Sequence, residues 1–343
     1  MNKGILERFR QGLLLHQSNL LGWLSGDLRQ KQIHCGRYGD DENEAITTES
    51  LPIFEDIENA LEQIERNEFG KCRLCDGEVE PERLELDFTT TVCLSHYSDS
   101  QLRELESDLE LAAKVQKHLL PATTPALSGV QIAAKARQAR IVGGDYYDFF
   151  CYRDYLQGLT VADVMGKGLP ASMLMSNLQA SLRILGPEYD ELQGIAKRLN
   201  ELFRHNLKLI RFISMFLGAI DVEHRVFHYC NAGHNPALWW KNASKSIDWL
   251  EPTGPAIGLV PDAEFTEKTI QLASGDILLL YTDGLIEARN ENNDEFGEDR
   301  LAAYISEESD NSAERLMEGL FARLKLFAGG FRDDLTVMIL KIE

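Results

Sequence analysis

The sequence predicts an α+β protein, a layered sandwich of antiparallel strands and paired helices that follows a helical region and a small cysteine-bearing module. Three observations carry this reading. From Val130 onward, short apolar runs alternate with Gly and Asp turns, and longer amphipathic stretches are inserted between them as pairs. Before that point, apolar residues recur at helical spacing. Between the two regions, three of the six cysteines crowd together with a histidine at residues 72–96.

The elements follow in chain order. From Met1 to about Gln32, the positions Ile5, Phe9, Leu13, Leu20, Leu24 and Leu28 mark a helix, bent near Gly22. The polar, acidic stretch His34 to Ser50 reads as a loop, and Pro52 suits the first turn of a second helix, Ile53 to Arg66, that ends near Gly70. Residues 1–70 are thus expected to form a helical hairpin, and residues 71–97 a separate module. In the linker helix 98–120, Leu102, Leu105, Leu109, Ala112, Gln116 and Leu119 alternate steps of three and four. This short heptad stripe fits a helix laid on its own domain and equally the seam of a coiled-coil homodimer. Pro121 and Pro125 end it.

Residues 121–343 carry the sandwich. Strands are expected at Val130 to Ala136, Tyr146 to Tyr152, Leu156 to Ala162, Ile213 to Asp221, Arg225 to Asn231, Ala237 to Trp240, Phe265 to Leu272, Ile277 to Tyr281 and Leu335 to Ile342. Helices are expected at Pro170 to Leu185, Glu191 to Leu209, Glu298 to Ile305 and Ala313 to Ala328.

Composition narrows the function classes. At 343 residues the chain has room for two or three units. A net charge of −20 argues against a nucleic-acid surface, which needs clustered Lys and Arg. No apolar run has the length of a membrane span, and the first ten residues lack the apolar block of a secretory signal. The expected setting is cytoplasmic, with reduced thiols and with proteins and metal ions as partners.

The cysteine group has the spacing Cys-x2-Cys, seventeen residues, Cys-x2-His, formed by Cys72, Cys75, Cys93 and His96. Each close pair suits a tight knuckle, and two knuckles facing each other give tetrahedral zinc coordination. Four protein ligands leave no open position, so the expected Zn²⁺ is structural. Cys35, Cys151 and Cys230 stand apart and read as buried thiols. The run from Ala60 to Cys75, with Pro81 to Leu84 and Cys93, resembles the zinc finger of the DksA/TraR family over about Ile57 to Tyr97. His96 stands where many relatives have Cys. The resemblance implies an RNA polymerase contact only weakly, because the acidic coiled-coil tip of that family has no counterpart here.

Four short motifs carry the chemistry of the large domain: Gly143-Gly-Asp145-Tyr-Tyr-Asp148, Ala162-Asp163-Val164-Met-Gly-Lys-Gly168, Tyr281-Thr-Asp283-Gly284 and Asp333-Asp-Leu-Thr336. Each places an aspartate at a strand end beside turn residues. Taken singly, Asp-Gly is an ordinary turn dipeptide. Together, carboxylates without His or Cys suit hard divalent cations such as Mg²⁺ and Mn²⁺.

In order and spacing these motifs resemble the SpoIIE branch of the PPM, or protein phosphatase 2C, family over nearly all of Leu109 to Glu343. The likeness includes the helix Leu109 to Pro121, the Asp163 to Ala171 turn, Asn231-Ala-Gly-His-Asn-Pro236, Gly254 to Leu259 and the final Asp-Asp-Leu-Thr strand. It implies an αββα sandwich and a metal-dependent phosphatase for phosphoserine or phosphothreonine. Asp163 would then bridge two cations with help from the Val164 carbonyl, Asp145 would support one cation, and Asp283 and Asp333 would complete the other. Two such ions activate a water for in-line attack at phosphorus. The implied substrate is an anti-sigma-factor antagonist in bacterial partner switching, contacted by residues 184–211. Neither Cys151 nor Cys230 belongs to the Cys-x5-Arg arrangement of a thiol phosphatase.

The chain departs from the family at Gln138-Ala-Arg-Ile-Val142, where relatives often read Pro-Ala-Arg-Glu-Val. Arg140 is retained, as a phosphate contact or as a surface ion pair. His234 is open to two readings, a general acid or a brace of its turn. The rival reading of the whole chain is a transcription-machinery adaptor, working through the zinc module with an inactive phosphatase scaffold.

Overall fold

The computed structural model describes residues 4, 6–7, 9–14, 55–86, 88–139, 141–153, 156–166, 168–206, 212–330 and 333–343. Residues 4, 6–7 and 9–14 are helical; the expected first helix beyond residue 14, the His34 to Ser50 loop, Cys35, Arg140 and Lys167 lie outside the described residues. The chain divides into two compact units, Met1–Leu105 and Glu106–Glu343.

In the first unit, residues 55–65 are helical, as the 3.6-residue spacing of Ile57, Ala60 and Ile64 requires. These three residues join Leu13, Phe69, Cys72, Val79, Leu84 and Cys93 in a small core. A short helix absent from the sequence reading, α1 (Pro81–Leu86), follows. Proline opens it, where a missing amide hydrogen is no loss. Arg83 ties the module together, donating to the Val92 carbonyl at 2.8 Å and to the Tyr97 hydroxyl at 2.9 Å.

The helix α2 (Asp99–Leu119) spans the boundary between the units. The second unit then builds two five-stranded antiparallel sheets. One has the order β1-β10-β9-β6-β7, with β1 (Val130–Arg137), β6 (Ala237–Lys241), β7 (Ser246–Leu250), β9 (Ile277–Tyr281) and β10 (Leu335–Ile342). The other has the order β2-β3-β4-β5-β8, with β2 (Asp145–Tyr152), β3 (Leu156–Val164), β4 (Ile213–Asp221), β5 (Val226–Ala232) and β8 (Lys268–Gln271). The helices are α3 (Leu169–Glu188), α4 (Leu192–Asn206), α5 (Asp283–Ile286), α6 (Gly297–Glu308) and α7 (Ala313–Ala328).

Strand alternation generates three apolar layers. On β9, Leu278 and Leu280 face the space between the sheets with Val161, Phe216, Met338 and Leu340, while Ile277, Leu279 and Tyr281 face α6 and α7. On the other sheet, Met215 and Leu217 meet α3 and α4 through Leu178, Leu182, Ile195 and Leu199. Sheets buried on both faces explain why β9 and β10 read as continuous apolar runs. The result is the αββα sandwich. Helix α7 has a full set of end signals: the Ser312 hydroxyl accepts from the Arg315 amide, and Gly329 closes the helix at φ 66°.

Besides the unexpected short helices α1 and α5, three elements differ from the sequence reading. Strand β7 is a short edge strand in which exposed Ser246 and Asp248 alternate with half-buried Ile247 and Trp249, too short a pattern to stand out in the sequence. Strand β8 is confined to Lys268–Gln271; Phe265 is buried not as a strand residue but against Gly254, whose absent Cβ would lie 2.4 Å from the Phe265 ring. Helix α3 runs on through Pro187, giving up one backbone hydrogen bond in its last turn.

Candidate metal centre at the sheet edge

The four acidic motifs arrive at one edge of the sandwich from both sheets. Asp145 opens β2, and Asp163 lies directly opposite it on β3. Asp283 opens the single turn α5 after β9, and Asp333 stands two residues before the start of β10. Strands β9 and β10 are hydrogen-bonded neighbours. The sheets are joined here by side chains: the Thr282 hydroxyl donates to Asp145 Oδ2 at 2.7 Å and accepts from the Thr336 amide at 2.9 Å. The Asp334 carboxylate accepts from the amides of Ala139 at 2.8 Å and Gly144 at 3.0 Å, tying the last motif to the first.

Close backbone approach explains the glycines. A Cβ on Gly144 would stand 2.6 Å from the Val164 carbonyl oxygen and 3.4 Å from Asp163 Oδ1. A Cβ on Gly284 would fall 1.9 Å from the Asp334 carbonyl oxygen, a position no side chain can occupy. Asp145, Asp163, Val164, Asp283 and Asp333 therefore lie on strand ends that are stitched together.

The electrostatics are those of an acidic concentration. Asp145 is only 4% exposed. Burial, and then the charge of Asp163, push its carboxyl well above the usual range, while Thr282 and Thr336 pull the other way. Glu287 is also raised, by burial and by the charges of Asp283, Glu295 and Asp333. The donor set is all oxygen, as hard divalent cations require. Among the described residues, no three carboxylates bring their oxygens within 4.8 Å of one another.

Asp334, Thr282, Glu287 and Gln116 also belong to this edge, in roles that the motifs alone do not reveal. Asp334 is the second half of an acidic doublet, and Glu287 follows Asp283 by four residues, the spacing of one helical turn. Gln116 sat in the heptad stripe as a seam residue. Instead it is buried, its Nε2 donating to the Gly143 carbonyl at 2.6 Å and its Oε1 accepting from the Gly143 amide at 3.2 Å. Leu102 and Leu105 of the same stripe are exposed.

His234 is 3% exposed, and burial takes its imidazole down to about 4. Its Nδ1 pairs with the Ser214 hydroxyl at 2.8 Å, and its backbone amide donates to Asn231 Oδ1 at 2.8 Å. Burial holds the His234 ring toward its neutral form, and its two hydrogen bonds fit the reading of a brace for the turn. The folded state takes up this proton only near pH 4, whereas the unfolded chain takes it up below about 6.5. Stability thus falls as pH drops through that window, by up to about 3 kcal/mol from this group. In the His234→Asn variant this part of the slope is expected to disappear. Chemical denaturation of both proteins at about pH 7 and pH 5 checks it, and equal slopes would refute the assignment.

The other two isolated cysteines separate. Cys230 is buried, with its thiol pushed up to about 11 by burial. Cys151 is exposed, because it points away from the core that its neighbours Phe150 and Tyr152 fill. It is not the core thiol expected from sequence.

In the first unit, the ligand atoms of Cys72, Cys75, Cys93 and His96 all lie within 4.8 Å of one another. Cys75 Sγ and Cys93 Sγ are 3.8 Å apart. Burial pushes the Cys72 thiol up, but backbone amides around it, that of Cys93 first, outweigh burial and bring it to about 6. A set of thiols converging in this way suits a soft tetrahedral cation.

Two antiparallel sheets flanked by helix pairs, with acidic strand ends at one edge, are the architecture of the PP2C-type phosphatases. The SiaA-PP2C domain of Pseudomonas aeruginosa shares it, with a TM-score of 0.61 at 20% identity over 71% of this chain and 98% of that one. The chain belongs to the family described as Stage II sporulation protein E (SpoIIE), whose model matches residues 155–343. It is similar to phosphoserine phosphatase RsbU of Bacillus subtilis (strain 168), 29% identical over 265 residues, which are 75% of this chain and 78% of RsbU. It is also similar to phosphoserine phosphatase RsbP of the same organism, 30% identical over 186 residues, which are 52% of this chain and 45% of RsbP. Among the described residues, no helix is long and apolar enough to cross a membrane.

Proposed function

We propose that this chain is a Mn²⁺- or Mg²⁺-dependent protein phosphatase that hydrolyses phosphoserine or phosphothreonine on a regulatory protein of the anti-sigma-factor antagonist type. One observation carries the reading: four acidic motifs from two sheets meet at one edge in a chain of the SpoIIE family. The similarity to RsbU and RsbP supports phosphoserine as the substrate group.

Asp163, with the Val164 carbonyl, would hold both cations, Asp145 would support one of them, and Asp283 and Asp333 would complete the other. The two cations, when bound, supply the positive charge that takes up phosphoryl oxygens and acidifies the attacking water. The chain's own residues hold this site open and rigid: Asp334 pins the loop through Ala139 and Gly144, and Thr282 fastens Asp145 to the second sheet. Neither Cys230, protonated and buried, nor Cys151 serves as a nucleophile. His234 is likewise outside the chemistry. A complete acidic set favours catalysis over the inactive-scaffold reading.

Cys72, Cys75, Cys93 and His96 hold a structural Zn²⁺ in the first unit. The exposed Leu102 and Leu105 on α2 support pairing of this helix with a second copy of the chain.

The test uses full-length protein loaded with Mn²⁺. It is expected to release phosphate from a phosphoserine-bearing anti-sigma-factor antagonist and from a generic aryl phosphate, and to stop when the cations are chelated. Failure on both substrates with both Mn²⁺ and Mg²⁺ would rule out the proposal.

A further inference from the structure

Thr282 is wholly buried between the sheets and has one proton to give. Its oxygen already accepts from the Thr336 amide at 2.9 Å, and its own amide donates to the Thr336 carbonyl at 3.0 Å. The backbone of β10 therefore fixes where the hydroxyl sits. Its proton goes to Asp145 Oδ2, at 2.7 Å. The hydroxyl of the second threonine, Thr336, is buried and closes no hydrogen bond among the described residues. Asp145 itself is 4% exposed and cannot swing out to water.

We propose that Thr282 is a positioning residue that sorts the two oxygens of Asp145, engaging Oδ2 and leaving Oδ1 for a divalent cation. The inference rests on the two-cation reading of this edge. A carboxylate with one oxygen already bonded presents its other oxygen in a set orientation, and outer residues of this kind commonly tune metal affinity about 10- to 100-fold. Serine retains the hydroxyl at this position, whereas valine retains the shape without the proton.

Isothermal titration calorimetry of Mn²⁺ into zinc-loaded full-length protein tests this with Thr282→Val and Thr282→Ser. Wild type is expected to take up two Mn²⁺ per chain. Thr282→Val should weaken one of the two binding steps about 10- to 100-fold, and Thr282→Ser should restore it. The rise in melting temperature on adding Mn²⁺ gives a second readout, since stabilisation grows with the ratio of ligand to Kd. Should Thr282→Val fold poorly, Thr282→Ala supplies the same comparison through that readout. Unchanged affinity in a folded Val or Ala variant overturns the inference, as does a Ser variant as weak as Val. A wild-type protein that takes up no Mn²⁺ overturns the two-cation reading itself.

Discussion

Asp163→Asn is expected to cut phosphate release by at least about 100-fold, and Asp283→Asn to do the same. Asparagine keeps the shape of aspartate and removes one negative charge from a site built to hold two divalent ions. A unit charge pair at about 4 Å is worth about 4 kcal/mol at an effective dielectric constant of about 20, and a divalent ion doubles it. A 100-fold loss needs only about 2.7 kcal/mol, so the charge term alone suffices. The same variant carries a signature that unfolding cannot mimic. Asp163 lies opposite Asp145 and raises its carboxyl. Removing the Asp163 charge relieves that repulsion, so without cations the Asp163→Asn protein should melt no lower than wild type. Phosphate release and thermal melting of both variants are the measurements. Hydrolysis that survives both substitutions would end the catalytic assignment.

Removing zinc from the first unit is expected to melt it. Its core is only the group around Ile57, Ile64, Phe69, Val79 and Leu84, with Cys72 and Cys93 built into it. So small a core seldom holds alone, and a structural zinc contributes about 10 to 16 kcal/mol. Purified protein should carry one zinc per chain, and Cys72→Ser should abolish both the zinc and the resistance of residues 55–97 to proteolysis. Zinc content and limited proteolysis followed by mass spectrometry check this. A Cys72→Ser protein as resistant as wild type would contradict a structural role. Mn²⁺ must be restored after any chelation, so that phosphate release reports on the first unit and not on the acidic edge.

Periodicity and punctuation carried most of the second unit. Strands buried on both faces announce themselves as apolar runs, which is why Ile277–Tyr281 and Leu335–Ile342 are legible residue for residue. The edge strands β7 and β8 are not, because strands so short have too few core-facing positions to form a recognisable run. The cysteine group is legible because ligand spacing is a local property, and its four atoms converge.

The sequence by itself determined the kind of site: which acidic motifs exist, in what order, and that oxygen donors without His or Cys suit hard cations. Only the tertiary structure decided how those motifs become one edge. The antiparallel pairing of β2 with β3 sets Asp145 against Asp163, and the Thr282 hydroxyl crosses from one sheet to the other. Tertiary packing also moved Gln116 from a helix seam to a grip on Gly143, buried His234 and turned Cys151 outward. The physical reason is the same in each case. Spacing along a chain encodes contacts within one element, whereas burial and hydrogen-bond partners across 137 residues, as between Thr282 and Asp145, exist only once the sheets have packed.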